Sequence, residues 1–171
     1  MLSYLNISGE LVKQLVYPTG NKSYPVGNIS FTNVQKVSKC KVDLYIEKLA
    51  EGKFYLLKGV ELPIGATLIY DCMKFKNQVN EYGLFVKLTD GDSFDITGSI
   101  NPDGANPADG TNTVFLSEIS VGDELVVNSE VRTVSALVSD TALTMSSAFS
   151  NGNADTTVQC NPTALVDVII N

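Results

Sequence analysis

Short runs in which apolar and polar residues alternate dominate the chain and predict an almost entirely β-structured protein. Two runs show the pattern best, Lys41–Glu47 and Tyr82–Leu88. In each, every second residue is apolar: Val42, Leu44 and Ile46 in the first, Leu84, Val86 and Leu88 in the second. A period of two places alternate side chains on one face of a strand. Because turn residues separate many such runs, the pattern predicts an antiparallel β-sandwich or barrel.

A polar segment, Asn101–Gly110, contains two prolines and two glycines and divides the predicted strands into two groups. Before it, further strands are predicted at Val26–Thr32, Lys53–Lys58, Val60–Leu62, Ala66–Tyr70 and Ser93–Thr97. After it, they are predicted at Thr113–Leu116, Val121–Asn128, Val131–Val138, Leu143–Ser146 and Thr156–Cys160, with a tight turn at Asn128–Glu130. We interpret Asn101–Gly110 as a linker, and the second group as a small barrel.

The two ends of the chain complete the predicted organisation. Asn6–Tyr17 comes close to a helical period, but we interpret Leu11–Tyr17 as a strand that ends at Pro18, within an arm that can pair with a neighbouring subunit. Thr163–Asn171 is apolar on both alternating faces, which predicts a buried central strand returning to the first domain. The predicted domains are an N-terminal arm at 1–22, a β-sandwich (jelly-roll or immunoglobulin-like) at 23–103 plus 163–171, and an inserted small β-barrel at 104–162.

Composition argues against catalysis and against the membrane. Apolar residues make up 44% of the chain, enough for a core, yet no stretch approaches the ~20 apolar residues of a membrane span. The N-terminus lacks the basic start and apolar run of a secretion signal, so we expect it to be the mature N-terminus of a protein made inside the cell. The chain has no histidine and no phosphate-binding glycine motif. The three cysteines are scattered, which predicts reduced, apolar packing. We therefore predict no catalytic residues, no cofactor and no enzyme.

Charge is divided unevenly along the chain. Residues 1–87 hold eleven basic and seven acidic residues, a net charge of +4, whereas residues 88–171 hold one arginine and twelve acidic residues, a net charge of −11. The acidic total argues against nucleic acid as a partner. The division fits either two differently solvated surfaces or charge complementarity, head to tail between neighbouring subunits or toward another protein.

Carboxylates and tyrosines are the remaining candidates for a site. Asp90, Asp92 and Asp95 offer hard oxygens at short spacing and are weak calcium candidates, to which Asp103 and Asp109 could add ligands. The pairs Asp90–Asp92 and Asp123–Glu124 would suffice for glycoside hydrolysis, but their glycine-rich turn context predicts that they bind the backbone. The seven tyrosines all precede residue 83 and predict either core and subunit contacts or a sugar-binding face: Tyr4, Tyr17, Tyr24, Tyr45, Tyr55, Tyr70 and Tyr82.

Two stretches resemble parts of tailed-phage virion proteins. Tyr55–Leu68 (YLLKGVELPIGATL) resembles a segment of β-sandwich domains in virion proteins, particularly of phages that infect cyanobacteria. Ile29–Asn33, Val42–Ile46 and Leu88–Phe94 fit the strands and the turn around it, and the terminal Leu165–Ile170 fits the last strand of such domains. Val114–Val127 with Arg132–Thr144 is similar to a small β module of phage tail, neck and fibre proteins, in which Gly122–Asp123 and Asp140–Thr141 match turns.

The resemblance implies a structural protein of the virion, made in the host cytoplasm, whose partners are other virion proteins and further copies of itself. The resemblance does not decide where in the particle the protein is located. A neck or tail connector-type subunit is the interpretation that we favour. A capsid decoration protein and a fibre-associated glycan-binding module are the alternatives. No nucleic-acid or membrane partner is expected.

Overall fold

The computed structural model describes residues 3–16, 25–48, 51–71, 75–76, 82–102, 106, 108–150 and 152–171. In these residues the chain is nearly all β, with antiparallel sheets and one short helix, α1 (Phe115–Glu118), which confirms the predicted all-β class. The chain divides into two compact units. The first comprises Met1–Gln35, Lys39–Asp90 and Ala164–Asn171, and the second comprises Lys36–Ser38 and Gly91–Thr163.

The first unit contains two four-stranded sheets. Sheet 1 has the order β1 (Ser3–Ser8), β17 (Leu165–Ile170), β4 (Ile29–Asn33) and β7 (Thr67–Tyr70). Sheet 2 has the order β2 (Val12–Val16), β9 (Tyr82–Thr89), β5 (Cys40–Lys48) and β6 (Gly52–Leu62). A two-stranded ladder pairs β3 (Pro25–Val26) with β8 (Phe75–Lys76).

Side chains from both sheets form one hydrophobic core. The alternation predicted for β5 and β9 is confirmed, since Leu44 and Val86 are fully buried and face the core. Sheet 1 contributes Phe31, Val166 and Val168, which are also fully buried. Burying one such aliphatic or aromatic side chain contributes about 1.5–3 kcal/mol to folding.

The C-terminal strand β17 is a central strand of sheet 1. It pairs with β1 on one side and with β4 on the other, so that Val168 lies opposite both Leu5 and Phe31. Only its even-numbered residues are buried, whereas the prediction had both faces buried. Ile169, on the other face, is 43% exposed.

The N-terminal segment, predicted as a separate arm, supplies strands to the first unit. Ser3–Ser8 pairs with β17, and Val12–Val16 pairs with β9, which confirms the strand predicted after Leu11. Ile7 is only 3% exposed, so burial of this alternating face draws the segment into the core. Residues 17–24 lie outside the described part of the chain.

The second unit is built on a seven-stranded sheet. Its order is β10 (Phe94–Asp95), β16 (Gln159–Asn161), β13 (Glu124–Val127), β14 (Glu130–Ser139), β15 (Ala142–Met145), β12 (Ala108–Thr111) and β11 (Ser99–Asn101). One face packs a separate core around Phe115, Leu125 and Leu143. The outermost strand β11 is also bonded to the segment before β16, because Ile100 and Asp155 exchange two backbone hydrogen bonds at 2.8 and 3.0 Å.

The boundary between the predicted domains differs from the one observed. The second unit takes the chain from residue 91, so the predicted linker Asn101–Gly110 lies within it, and its ends pair as β11 and β12. Gly98 permits this early turn, because it has a φ of +84° and a Cβ there would collide with the backbone of Thr111 and Asn112.

The strand predicted at Thr113–Leu116 is instead the short helix α1. Asp140 explains the difference. Its carboxylate accepts the N–H of Leu116 at 3.1 Å, and its carbonyl accepts the hydroxyl of Thr113 at 2.6 Å. These bonds satisfy polar groups at the start of the turn, which local strand propensity does not take into account.

Candidate interaction surfaces

The three aspartates that were predicted as weak calcium candidates lie in different settings. The Oδ1 of Asp90 accepts the N–H of Ala164 at 2.7 Å, and burial together with the nearby charge of Glu10 raises the pKa of Asp90. Asp92 and Asp95 are exposed. The described residues contain no group of three or more His, Cys, Asp or Glu side chains that could hold a metal ion.

The Asp123–Glu124 pair points its two carboxylates to opposite sides of β13. Asp123 is fully buried, and its carboxylate accepts the N–H groups of Ser120 at 2.8 Å and of Thr163 at 2.9 Å. Cys160 donates its thiol to the same carboxylate at 3.8 Å. Glu124 is exposed. Asp123 therefore binds the backbone, as its turn context predicted.

Two of the three cysteines lie among the described residues, and both are buried thiols. Burial raises the pKa of Cys40 to about 11, with the charge of Asp90 adding to the effect. Burial and then Asp123 raise the pKa of Cys160. Both thiols therefore stay protonated near neutral pH and behave as small apolar side chains. Cys72 lies outside the described residues.

Aromatic rings gather on the outer side of sheet 2, the side that faces away from the core. Tyr45 stacks on Phe85 with ring centroids 5.6 Å apart and meets Tyr55 at 5.5 Å. Tyr45 is 1% exposed, and its hydroxyl has no hydrogen-bond partner among the described residues. Tyr55 remains 46% exposed. The rings therefore form a small apolar cluster on this face.

Lysines cover these rings. The Nζ of Lys53 lies 4.8 Å from the ring centroid of Tyr45, and the Nζ of Lys58 lies 4.3 Å from that of Tyr55. Such cation–π contacts are worth about 0.5–1 kcal/mol at exposed sites. Because ammonium groups already lie over both tyrosines, this cluster offers a sugar less free ring surface than the tyrosine count suggested. Of the other tyrosines, Tyr4 lies on sheet 1, Tyr70 and Tyr82 are half-buried, and Tyr17 and Tyr24 lie outside the described residues.

A buried carboxylate anchors the same surface. Burial alone would raise the pKa of Asp43, but the Lys58 ammonium at 2.9 Å and the N–H of Gly59 at 2.6 Å together hold it below the usual value. We name the outer surface of sheet 2 the aromatic–lysine face and define it by Tyr45, Tyr55, Phe85, Lys41, Lys53, Lys58 and Lys87.

The second unit presents an acidic surface. On the side of its sheet away from the core, register aligns Asp95, Gln159, Val126 and Val131, and next to them Asn161, Glu124 and Thr133. We name these seven residues the acidic face. It contains two carboxylates, no basic residue, and an apolar side chain, Val131, that is 45% exposed.

A third surface, on the outer side of sheet 1, carries an apolar row. Tyr4, Ile169, Ser30 and Ile69 are consecutive partners across its four strands. Tyr4 is 83% exposed, Ile69 62% and Ile169 43%. The next row of residues is polar. Asn6 donates to Asp167 at 2.8 Å, and the hydroxyls of Thr32 and Thr67 are hydrogen-bonded to each other at 2.9 Å. The apolar row itself is uncharged, so salt should affect its contacts little.

The charge division seen along the sequence follows the two units. The second unit (Lys36–Ser38 and Gly91–Thr163) holds ten acidic residues, one arginine and one lysine, a net charge of −8, while the first unit holds ten lysines and nine acidic residues, a net charge of +1. The described residues include no helix long and apolar enough to cross a membrane.

Sequence reasoning missed the aromatic–lysine face. It treated the tyrosines as one set and did not single out Phe85, Lys53 or Lys58. The strand period could have found part of it, because Tyr45 and Phe85 occupy the positions that alternate with the buried residues of β5 and β9. Comparison with protein-family models, with curated proteins and with solved structures found no match to this chain.

Proposed function

We propose that this chain is a structural subunit of a tailed-phage virion, of the neck or tail connector type, which assembles head to tail with further copies of itself. The observation that carries the proposal is the division of charge between the two units, with a net charge of −8 on the second unit and +1 on the first. Opposite charge on two parts of one subunit favours contact between the unlike parts of neighbours. The proposal assigns the protein no catalytic role.

Strand order supports a jelly-roll sandwich for the first unit. Numbered along the chain without the short β3–β8 ladder, its strands follow the order 1-8-3-6 in sheet 1 and 2-7-4-5 in sheet 2. This interleaving is that of two Greek keys wrapped into a jelly roll, an architecture found in viral capsid proteins and in lectins. By analogy of fold alone, it suits a virion component.

The second unit suits an inserted small barrel. Residues 91–163 separate β9 from β17, which both belong to the first unit, and the bridge from Ile100 to Asp155 draws the edge strand β11 back toward β16. Closing a sheet in this way removes free edges, which is what a repeated subunit needs to avoid uncontrolled pairing.

A capsid decoration protein is the second candidate, and the apolar row on sheet 1 favours it. A subunit that cements a particle surface can dock through exposed side chains such as Tyr4, Ile69 and Ile169, without pairing with its own copies in solution. Binding through this row would change little with salt concentration, whereas binding between the oppositely charged units would weaken as the salt concentration rises.

The experiment that separates the two candidates is the mass of the purified protein by light scattering at about 50 mM and about 500 mM salt, conditions that change the Debye length severalfold. A discrete oligomer that dissociates at high salt is the expected result. A monomer at both salt concentrations would overturn the connector proposal, and specific binding of that monomer to capsids would then establish the decoration role.

A further inference from the structure

The most informative surface for assembly is the outer side of sheet 2. It combines exposed aromatic area with lysines, and it lies on strands β5, β6 and β9, whose opposite side holds the core of the first unit. Aromatic residues are enriched at the centres of protein interfaces, because they bury a large area for few rotatable bonds.

We infer that the aromatic–lysine face of one copy binds the acidic face of a second copy, an inference that rests on the proposed function and names the surfaces through which it operates. Two features of the aromatic–lysine face and one feature of the acidic face select this pairing.

The first feature is that sheet 2 is better suited to contact through its face than through its edge. The edge strand β6 carries two register shifts against β5, one of them at Gly59, which has a φ of +59°. Bulges twist an edge strand away from a straight partner and so oppose the addition of a foreign strand. On the face itself, Tyr55, Lys41 and Lys53 remain exposed to a partner.

The second feature is the charge left on the face after its internal pairs are formed. The acid Asp43 is bound by Lys58 and by the N–H of Gly59, and Glu61 pairs with Lys39 at 2.8 Å. Among the described residues on this side, Glu47 is the one further acid beside Lys41, Lys53 and Lys87, which leaves three positive charges against one negative charge. The face therefore selects an acidic partner.

The acidic face of a second copy meets these requirements. Asp95 and Glu124 supply two exposed carboxylates with no basic residue among them, and the exposed Val131 on the same side offers apolar area to Tyr55. Because each copy carries both faces, the contact is heterologous, and successive copies build a closed ring or a helical stack.

A charge-swap experiment tests the inference with full-length protein. Variant A is Lys41→Glu with Lys53→Glu, and variant B is Asp95→Lys with Glu124→Lys. Alone, each presents like charges at every contact, which costs several kcal/mol, so the dissociation constant of self-assembly should rise by at least about 100-fold. Mixed in equal amounts, A and B should assemble again, because every contact between unlike copies then joins opposite charges.

The control is Lys13→Glu with Lys48→Glu. It makes the same change of net charge as variant A on the side of β2 and β5 away from the aromatic–lysine face. It should assemble like the wild type, and circular dichroism should show that all variants are folded. If the wild type assembles, either of two results would overturn this pairing and leave the proposed function standing. In the first, A and B each assemble alone; in the second, A and B fail to assemble when they are mixed. Wild-type protein that stays monomeric would overturn both.

Discussion

At the scale of single residues, the aspartates of this protein hold its turns. Asp123 joins Ser120 and Thr163, Asp155 joins Asn128 and Thr157, and Asp90 accepts from Ala164. Sequence reasoning predicted this for the Asp90 and Asp123 turns from their glycine context. The partners could not be predicted, because Asp90 and Ala164 are 74 positions apart in the chain. Only the fold brings such groups together.

Replacing Asp123 by alanine should lower the free energy of unfolding by about 2–4 kcal/mol. The substitution removes the acceptor of two part-buried N–H groups, those of Ser120 and Thr163, and the loss of a partner costs a buried group about 1–3 kcal/mol. Denaturant titration monitored by circular dichroism measures the change. Asp123→Asn keeps one acceptor oxygen and should cost less than alanine, and an equal cost for both variants would contradict this role.

Asp155 should contribute to stability above pH 4 and lose this contribution as the solution is acidified. The N–H of Asn128 at 2.6 Å is the main cause that lowers the pKa of Asp155, with Thr157 adding to it against a smaller effect of burial. A carboxyl whose pKa is lower in the folded state stabilises the fold when ionised, above its unfolded pKa of about 3.9, and less as pH falls through the folded value.

The measurement is the free energy of unfolding from pH 7 down to pH 2.5 for the wild type and for Asp155→Asn. The wild-type curve should fall more steeply on the acid side, and the two curves should converge at the lowest pH. Parallel curves would show that Asp155 has no special part in acid stability.

At the scale of elements, strand alternation was predictable and the exceptions came from distant partners. The buried sides of β5 and β9 follow directly from the spacing of Val42, Leu44, Val86 and Leu88. The short helix α1 was not predictable in this way, because Asp140, more than twenty residues further on, holds its start. The outer aromatic cluster was missed for a related reason: Tyr45 is buried by rings from the two neighbouring strands.

The hairpin between β13 and β14 should tolerate glycine better than its own serine. Asn128 and Ser129 have φ values of +50° and +67°, and Val127 pairs with Glu130, as in a two-residue turn of type I′. Ser129→Gly should raise the free energy of unfolding by up to about 1 kcal/mol, because a left-handed backbone costs non-glycine residues about that much. Ser135→Gly, within β14, should lower it, and thermal unfolding of the two variants checks both signs.

At the scale of the whole molecule, the two units have separate cores and opposite net charges. The division into two all-β parts was predictable from turn spacing and from the change in composition near residue 100. The boundary was displaced to residue 91, because Ser99–Asn101 pairs with β12 in the second unit. Which strand edges and faces remain open could not be read from the sequence, since this depends on the strand order.

The first unit should fold without residues 91–163. Asp90 and Ala164, which flank this segment, are joined by a hydrogen bond of 2.7 Å, so a Gly/Ser linker of about four residues can connect them. The shortened chain should keep a β-type circular dichroism spectrum and unfold cooperatively. A further deletion of 164–171 removes β17 from between β1 and β4 and should abolish folding. Failure of the first shortened chain to unfold cooperatively would show that the first unit depends on the second.

The position of β17 also sets the order of events during synthesis. The ribosome must complete residues 91–163 before it makes this strand, which takes roughly 4–15 s at typical elongation rates of about 5–20 residues per second. Until then β1 and β4 lack the strand that pairs with both of them, and the apolar residues of sheet 1 cannot pack against β17. The second unit, whose sheet strands all lie between Phe94 and Asn161, can fold as it emerges. The nascent first unit is therefore the part most exposed to misassembly and to chaperones.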